Sequence, residues 1–167
     1  CPWAHRTLIM RKLKKLEEVI SLSIVDPLME DDGWMFSLYP GAIPDTVNDR
    51  KYLREIYSLA EPHYSGRVTV PVLWDKKTNT IINNESREIM RMLDGAFNHW
   101  GKGCQNFYPP DLRDEVETMN GLILKNVAEG VYRAGFAQTQ ERYDKAIAGL
   151  FDTLDALEKR VATQSFL

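Results

Sequence analysis

Cysteine and histidine are scarce in this chain, and neither is arranged for a metal. Its 167 residues hold two cysteines, Cys1 and Cys104, and three widely spaced histidines. Two cysteines so far apart make no disulfide framework, and no zinc-type spacing is present, so no metal is expected. An excess of positive charge is also lacking: 21 Lys and Arg stand against 24 Asp and Glu, a formal net charge of −3. That excludes the electrostatic footprint of a nucleic-acid binder. No apolar run approaches the roughly 20 residues that cross a bilayer, and no signal peptide is visible, so no membrane partner is expected. Repeats and low-complexity tracts are missing too. The 44% apolar and 27% charged content is that of an ordinary globular protein in a reducing, cytoplasmic setting.

One further absence is the most informative. The chain opens C-P-W-A, with Ala4 where a C-x-x-C pair would place its second thiol. An amphipathic helix, expected over residues 3–16, follows at once. A thiol at a helix N-terminus faces unpaired N–H groups and the positive end of the dipole, which stabilise a thiolate. Pro2 suits the first helical turn, where its missing N–H is no loss. With no resolving partner in the run, Cys1 needs an external thiol, and glutathione is the obvious small-molecule candidate. The alternative is an inert cysteine beside a helix cap. Arg11, Lys12, Lys14 and Lys15 form the one basic run. They alternate with Leu8, Ile9, Leu13 and Leu16 at helical spacing and read as the helix's solvated face.

Beyond the helix, residues 19–26 read as a strand, and residues 27–50 as a long irregular stretch too aromatic for disorder. A short helix is expected over 51–60 and a proline-bearing strand over 68–75. A turn at Lys76–Asn79, a returning strand over 80–83 and a helix over 85–97 follow. Residues 98–110 are polar and bear Gly and Pro, as a linker would. Two long helices are expected after it, over 111–134 and 138–162. With one strand restored at the front, the order is βαβαββα. The expected fold class is therefore an α/β thioredoxin-like N-terminal domain (1–97) whose first strand is missing, a linker (98–110), and a truncated all-α domain (111–167). Cys1 has no strand before it, and the chain stops soon after a helical run. It is expected to be an internal fragment, lacking the first strand and the C-terminal helices, and to fold poorly alone.

Two further runs carry chemistry. In V-T-V-P-V, Pro71 either marks an edge or bulge, or follows a cis peptide that leaves the Val70 main chain free to pair with an extended peptide. In N-N-E-S-R-E, Asn83 and Asn84 read as caps while Glu85 and Ser86 open a helix. Read for function, Ser86 donates to a ligand carboxylate and Glu85 pairs with an ammonium, the two groups of a γ-glutamyl head. Read plainly, the run is only a cap.

Taken in order, C-P-W-A-H-R-T-L, D-D-G-W-M-F, S-G-R-V-T-V-P-V-L-W-D, N-N-E-S and N-V-A-E-G-V-Y-R-A-G-F-A resemble the glutathionyl-hydroquinone reductases, the Xi-class glutathione transferases. The resemblance implies an all-α glutathione-transferase C-terminal domain and glutathione as co-substrate. It implies quinone or hydroquinone conjugates as partners, and a homodimer for the full-length protein. Cys1 is then the nucleophile. Trp34 packs over glutathione, Arg67 hydrogen-bonds it, and Val70, beside Pro71, supplies main-chain pairing. Glu85 and Ser86 hold the γ-glutamyl end. Tyr132, one residue past the stripe Val116–Met119–Ile123–Val127–Val131, lines the hydroquinone pocket. Otherwise Trp34 is a loop anchor, Arg67 a solvated charge and Tyr132 a boundary residue. Cys104 is expected to do no catalytic work. The rivals are an omega-like thioltransferase or dehydroascorbate reductase, and a non-catalytic scaffold of the same fold.

Overall fold

The computed structural model describes residues 1–103 and 105–167; Cys104, expected as an idle linker cysteine, lies outside them. The chain divides into two compact units, Cys1–Phe107 and Tyr108–Leu167.

In the first unit, helix α1 spans Pro2–Leu13 with Cys1 as its N-cap. It ends three residues earlier than the apolar periodicity predicts. Lys15 takes a left-handed conformation with φ of 54°. The Leu16 N–H then reaches back to the Arg11 carbonyl (3.0 Å), and the Lys15 N–H to that of Lys12 (3.0 Å). This is a Schellman stop built without glycine. Leu16, at 0% exposure, enters a core with Met10, Ile89 and Leu93. That core joins α1 to α3 (Ser86–Gly95). Two readings of this helix need correction. Ile9 and Leu13 are exposed, while Thr7 and Met10 face the core. Lys14 is not solvated but 2% exposed, because Asp94 on α3 stands 3.0 Å from its ammonium. The core against α3 selects the face that carries Thr7, Met10 and Lys14, and leaves Ile9 and Leu13 outside it.

A second core forms on α2 (Leu53–Ala60), from Leu53, Ile56 and Tyr57. Val25, Trp34, Phe36, Tyr64, Val68, Val70 and Trp74 are among the side chains around it. The expected strand over 19–26 is absent; it makes one isolated bridge, Ile24 to Ile43. The strand expected over 68–75 is confined to β1, Leu73–Asp75, which pairs antiparallel with β2, Thr80–Asn83. Among the described residues these are the two strands. A ladder needs a neighbour to take successive N–H and C=O groups; for 19–26 the described partners are Ile43, paired with Ile24, and the Met35 carbonyl, which accepts from the Asp26 N–H (2.8 Å), too few to make a strand. The long stretch 27–50 is organised by two buried carboxylates. Asp26 accepts from the Leu28 N–H and the Ser37 hydroxyl, and Asp45 from the N–H groups of Val47, Asn48 and Arg50.

Much of the expected linker is part of this unit. The Phe107 N–H donates to Asp94, and Lys14 Nζ donates to the Gln105 carbonyl (2.8 Å). A Cβ on Gly103 would lie 2.6 Å from the Leu13 carbonyl oxygen, so only glycine fits there. The compact unit therefore reaches Phe107 rather than residue 97.

The second unit is helical. A 3-10 turn at Pro110–Leu112 leads into α4, Arg113–Ile123. The single helix expected over 111–134 is broken by a π-helical turn, Leu124–Ala128, before α5, Gly130–Gly135. Asn126 within that turn donates to Thr153 Oγ1 (3.1 Å), whose hydroxyl donates in turn to the Gly149 carbonyl (2.8 Å). Helix α6, Gln140–Val161, is capped by the Thr139 hydroxyl. Along this helix Leu150 is buried against α5 near Gly130, whereas Tyr143, Leu154 and Val161 are exposed.

Candidate active site

Cys1 is exposed and free, and its side chain makes no capping hydrogen bond. Its carbonyl accepts the first bond of α1, from the His5 N–H (3.0 Å). Cys1 is thus the N-cap of a first turn whose leading N–H groups no helical carbonyl can take. The order C-P, with proline at the first helical position, produces this local geometry.

Arg6, on the same helix, links that terminus to α3. Its Nε and Nη2 both donate to Ser86 Oγ, at 3.0 and 2.7 Å, and Nη2 lies 3.6 Å from the Glu85 carboxylate. Ser86 is buried, and Glu85 is largely exposed. Partial burial lowers the Arg6 pKa from its ordinary value; Glu85 opposes that shift and Arg87 adds to it. The N-cap of α3 is Glu85 itself, whose carboxylate accepts from the Arg87 N–H (3.0 Å). Asn83 and Asn84, read as caps, do other work. Asn83 Oδ1 accepts from the Glu85 N–H (2.7 Å). Asn84 Nδ2 reaches the Thr69 carbonyl (3.2 Å), the Thr69 hydroxyl (2.9 Å) and the Pro71 carbonyl (3.0 Å).

Asn84 therefore clasps the segment on either side of Val70. The Val70–Pro71 peptide is cis, the second of the two readings of the proline-bearing run. Among the described residues no group hydrogen-bonds the Val70 main chain. From the other side, Tyr57 donates to the Thr69 carbonyl (2.8 Å) and Tyr64 to the Arg67 carbonyl (2.7 Å). Burial pushes the Tyr57 phenol above its usual pKa, against the Thr69 hydrogen bonds. Replacing Asn84 with alanine removes every clasp contact to Thr69 and Pro71. Affinity for glutathione, the ligand that the resemblance implies, is expected to fall about ten-fold, with α3 intact because its cap is Glu85. Isothermal titration of the folded variant reads this; an unchanged affinity would mean that Val70 is held without the clasp.

Trp34 is half-buried against the Leu53–Ile56–Tyr57 core, and its carbonyl accepts from the Leu53 N–H (2.9 Å). Gly33 before it takes φ of 86°, and Arg54 grips Asp32 in the same turn (3.0 Å to the carboxylate). Val70 packs against the same core. Arg67 is exposed, and its side chain has no partner among the described residues. Cys1, Trp34, Arg67, Val70, Pro71, Glu85 and Ser86 thus share the first unit, with Arg6 and Asn84 fastening its pieces. Tyr132 belongs to the second unit, on α5 just after the π turn, half-exposed and stacked on Phe136 (ring centroids 6.3 Å). Sequence reasoning overlooked Arg6 and Tyr57. For Arg6 a signal existed: it lies four residues before Met10, on the face of α1 that packs inward. Among the described residues no cluster of His, Cys, Asp and Glu could hold a metal ion, and no helix is long and apolar enough to cross a membrane.

Residues 1–96 match the family model "Glutathione S-transferase, N-terminal domain". The glutathionyl-hydroquinone reductase YqjG of Escherichia coli K12 is 52% identical over 168 residues, covering 100% of this chain and 51% of the relative. Its glutathione-bound structure superposes with a TM-score of 0.94 at 53% identity, over 98% of this chain and 53% of that one. The glutathionyl-hydroquinone reductase PcpF of Sphingobium chlorophenolicum is 47% identical over 167 residues, covering 100% of this chain and 53% of the relative. A Xi-class glutathione transferase from Natrialba magadii superposes with a TM-score of 0.96 at 47% identity, over 99% of this chain and 51% of that one. The chain spans about half the length of the curated relatives it matches.

Proposed function

The chain belongs to the glutathione S-transferase family, and on that premise we propose that it carries the thiol and the glutathione site of a glutathionyl-hydroquinone reductase. The observation that carries this reading is Cys1, exposed at the start of a helix that Arg6 ties to the Glu85–Ser86 turn. The names of the relatives, and the motifs shared with the Xi class, support the choice of substrate.

In this reading Glu85 takes the ammonium of the γ-glutamyl group and Ser86 its carboxylate. The free Val70 main chain pairs with the cysteinyl unit, Arg67 hydrogen-bonds the tripeptide, and Trp34 covers it. The Cys1 thiolate attacks the sulfur that joins glutathione to the ring. An S–S bond forms, the S–C bond breaks, and its electron pair stays with the ring carbon. That carbon takes a proton, which Tyr132 helps to deliver, and the hydroquinone leaves. A second glutathione thiolate attacks the mixed disulfide, expelling oxidised glutathione and restoring Cys1 as thiolate. No step requires a metal. A reducing compartment such as the cytoplasm keeps both thiols in working form.

The test uses protein of the relatives' full length, supplied with glutathione and either a glutathionyl-hydroquinone or a small mixed disulfide. Release of hydroquinone with one oxidised glutathione per turnover supports the reading. Turnover of the mixed disulfide alone would favour the omega-like thioltransferase, and glutathione binding without turnover would favour a scaffold. Tyr132→Phe is expected to lower kcat on the hydroquinone conjugate roughly a hundred-fold. It should leave mixed-disulfide reduction unchanged, because only the first reaction protonates carbon. Equal effects on both substrates would remove Tyr132 from the proton transfer.

A further inference from the structure

We propose that Arg6 is a positioning residue for the carboxylate of the γ-glutamyl group, acting through the hydroxyl of Ser86. This rests on the glutathione reading of the Glu85–Ser86 turn, and adds a residue on the cysteine-bearing helix to it.

The argument starts from the valence of a hydroxyl, which has one O–H to donate and two lone pairs to accept with. Arg6 sends two N–H groups to Ser86 Oγ, from Nε at 3.0 Å and Nη2 at 2.7 Å. With both lone pairs engaged, the Ser86 hydroxyl can act only as a donor. Its acceptor in the protein is a poor one, the Glu85 carboxylate at 3.4 Å. A ligand carboxylate within ordinary hydrogen-bond distance would take that proton in preference. Without Arg6, Ser86 could spend its hydroxyl as donor or acceptor, and would gain less from an anionic ligand.

Charge reinforces the valence argument. A carboxylate at Ser86 sits next to the Glu85 carboxylate and would be repelled by it. Arg6 Nη2 lies 3.6 Å from Glu85 Oε1 and offsets that repulsion while leaving Glu85, largely exposed, to meet an ammonium. Among the described residues no partner takes the Ser86 N–H, while Asn83 Oδ1 holds the Glu85 N–H and the Glu85 carboxylate that of Arg87. The α3 terminus then offers an N–H and an O–H side by side to one carboxylate, with a guanidinium behind them. Lysine could supply the charge but not two donors fixed in one plane.

The test measures affinity in protein of the relatives' full length for glutathione and two analogues. 4-Aminobutyryl-cysteinylglycine keeps the ammonium but lacks the glutamyl carboxylate; glutaryl-cysteinylglycine keeps the carboxylate but lacks the ammonium. Wild type should bind 4-aminobutyryl-cysteinylglycine more weakly than glutathione. Arg6→Gln should weaken glutathione and glutaryl-cysteinylglycine about ten-fold or more, and leave 4-aminobutyryl-cysteinylglycine unchanged. In turnover, the KM for glutathione should rise while kcat holds. Arg6→Gln in a Ser86→Ala background should add little, since the effect passes through that hydroxyl. Should Arg6→Gln fail to fold, Arg6→Lys serves, with an intermediate loss confined to the two carboxylate-bearing ligands. Equal weakening of all three ligands, or additive losses in the double variant, would make Arg6 merely structural and overturn the proposal. Wild type binding glutathione and 4-aminobutyryl-cysteinylglycine equally would overturn the Ser86 reading itself. Discrimination that persists in the Arg6 variants would overturn only the role of Arg6.

Discussion

Replacement of Cys1 by alanine in protein of the relatives' full length is expected to abolish hydroquinone release, a loss of about a thousand-fold or more, with glutathione still bound. Both sulfur-exchange steps of the proposed cycle form or break a bond at this sulfur. The other contacts assigned to glutathione are donors, acceptors or packing surfaces, and none supplies a thiolate. Cys1 is exposed and its side chain caps nothing, so removing it opens no cavity and strands no buried partner. Loss of activity could not then be blamed on loss of fold. Titration calorimetry should give a glutathione affinity within a few-fold of wild type, while the assay falls to background. Cys1→Ser should be equally inactive, because a hydroxyl is neither ionised at neutral pH nor able to form a disulfide. Turnover above about one per cent of wild type in either variant would overturn the covalent mechanism.

What the sequence made legible, and what it hid, separates along a physical line. Features set by neighbours in sequence could be read. C-P placed a thiol at a helix start, the run Lys76–Asn79 turned a hairpin, and E-S opened a helix. The cis peptide before Pro71 was one of two readings of V-T-V-P-V, the edge or bulge being the other. Features set by partners far along the chain could not. Residues 19–26 have the composition of a strand, but a strand exists only where another pairs with it, and here one bridge to Ile43 forms. Lys14 looked like one of four solvated cations, and only the position of Asp94, eighty residues on, makes it a core residue. Arg6 bonds across 80 residues and Asn84 across 13 to 15, and a side chain's spacing does not disclose what it will meet. The π turn at Leu124–Ala128 was hidden for another reason. It preserves the helical composition of its segment and changes only which carbonyl each N–H finds.

The largest effect on stability is expected from the least exposed cation. Lys14 is 2% exposed and Asp94 6%, with Nζ and Oδ1 3.0 Å apart. Each has a second task. Lys14 Nζ also donates to the Gln105 carbonyl (2.8 Å), and the Asp94 carboxylate accepts from the Phe107 N–H at 3.1 and 3.2 Å. The pair thus joins α1 to α3 and lays the segment before Phe107 over both. Asp94→Ala would leave an ammonium buried without its counter-charge and an N–H without its acceptor. The expected cost is about 3–5 kcal/mol, a large part of a domain's usual stability margin. Asp94→Asn should cost less, since its amide oxygen still accepts from Phe107. Replacing both partners, as Lys14→Met with Asp94→Leu, should recover a substantial part of the loss, because no unpaired charge remains inside. Denaturant titration of the three variants reads these differences as shifts in midpoint. Asp94→Ala within about 0.5 kcal/mol of wild type would mean that water reaches Lys14 and that the contact is no more than a surface ion pair.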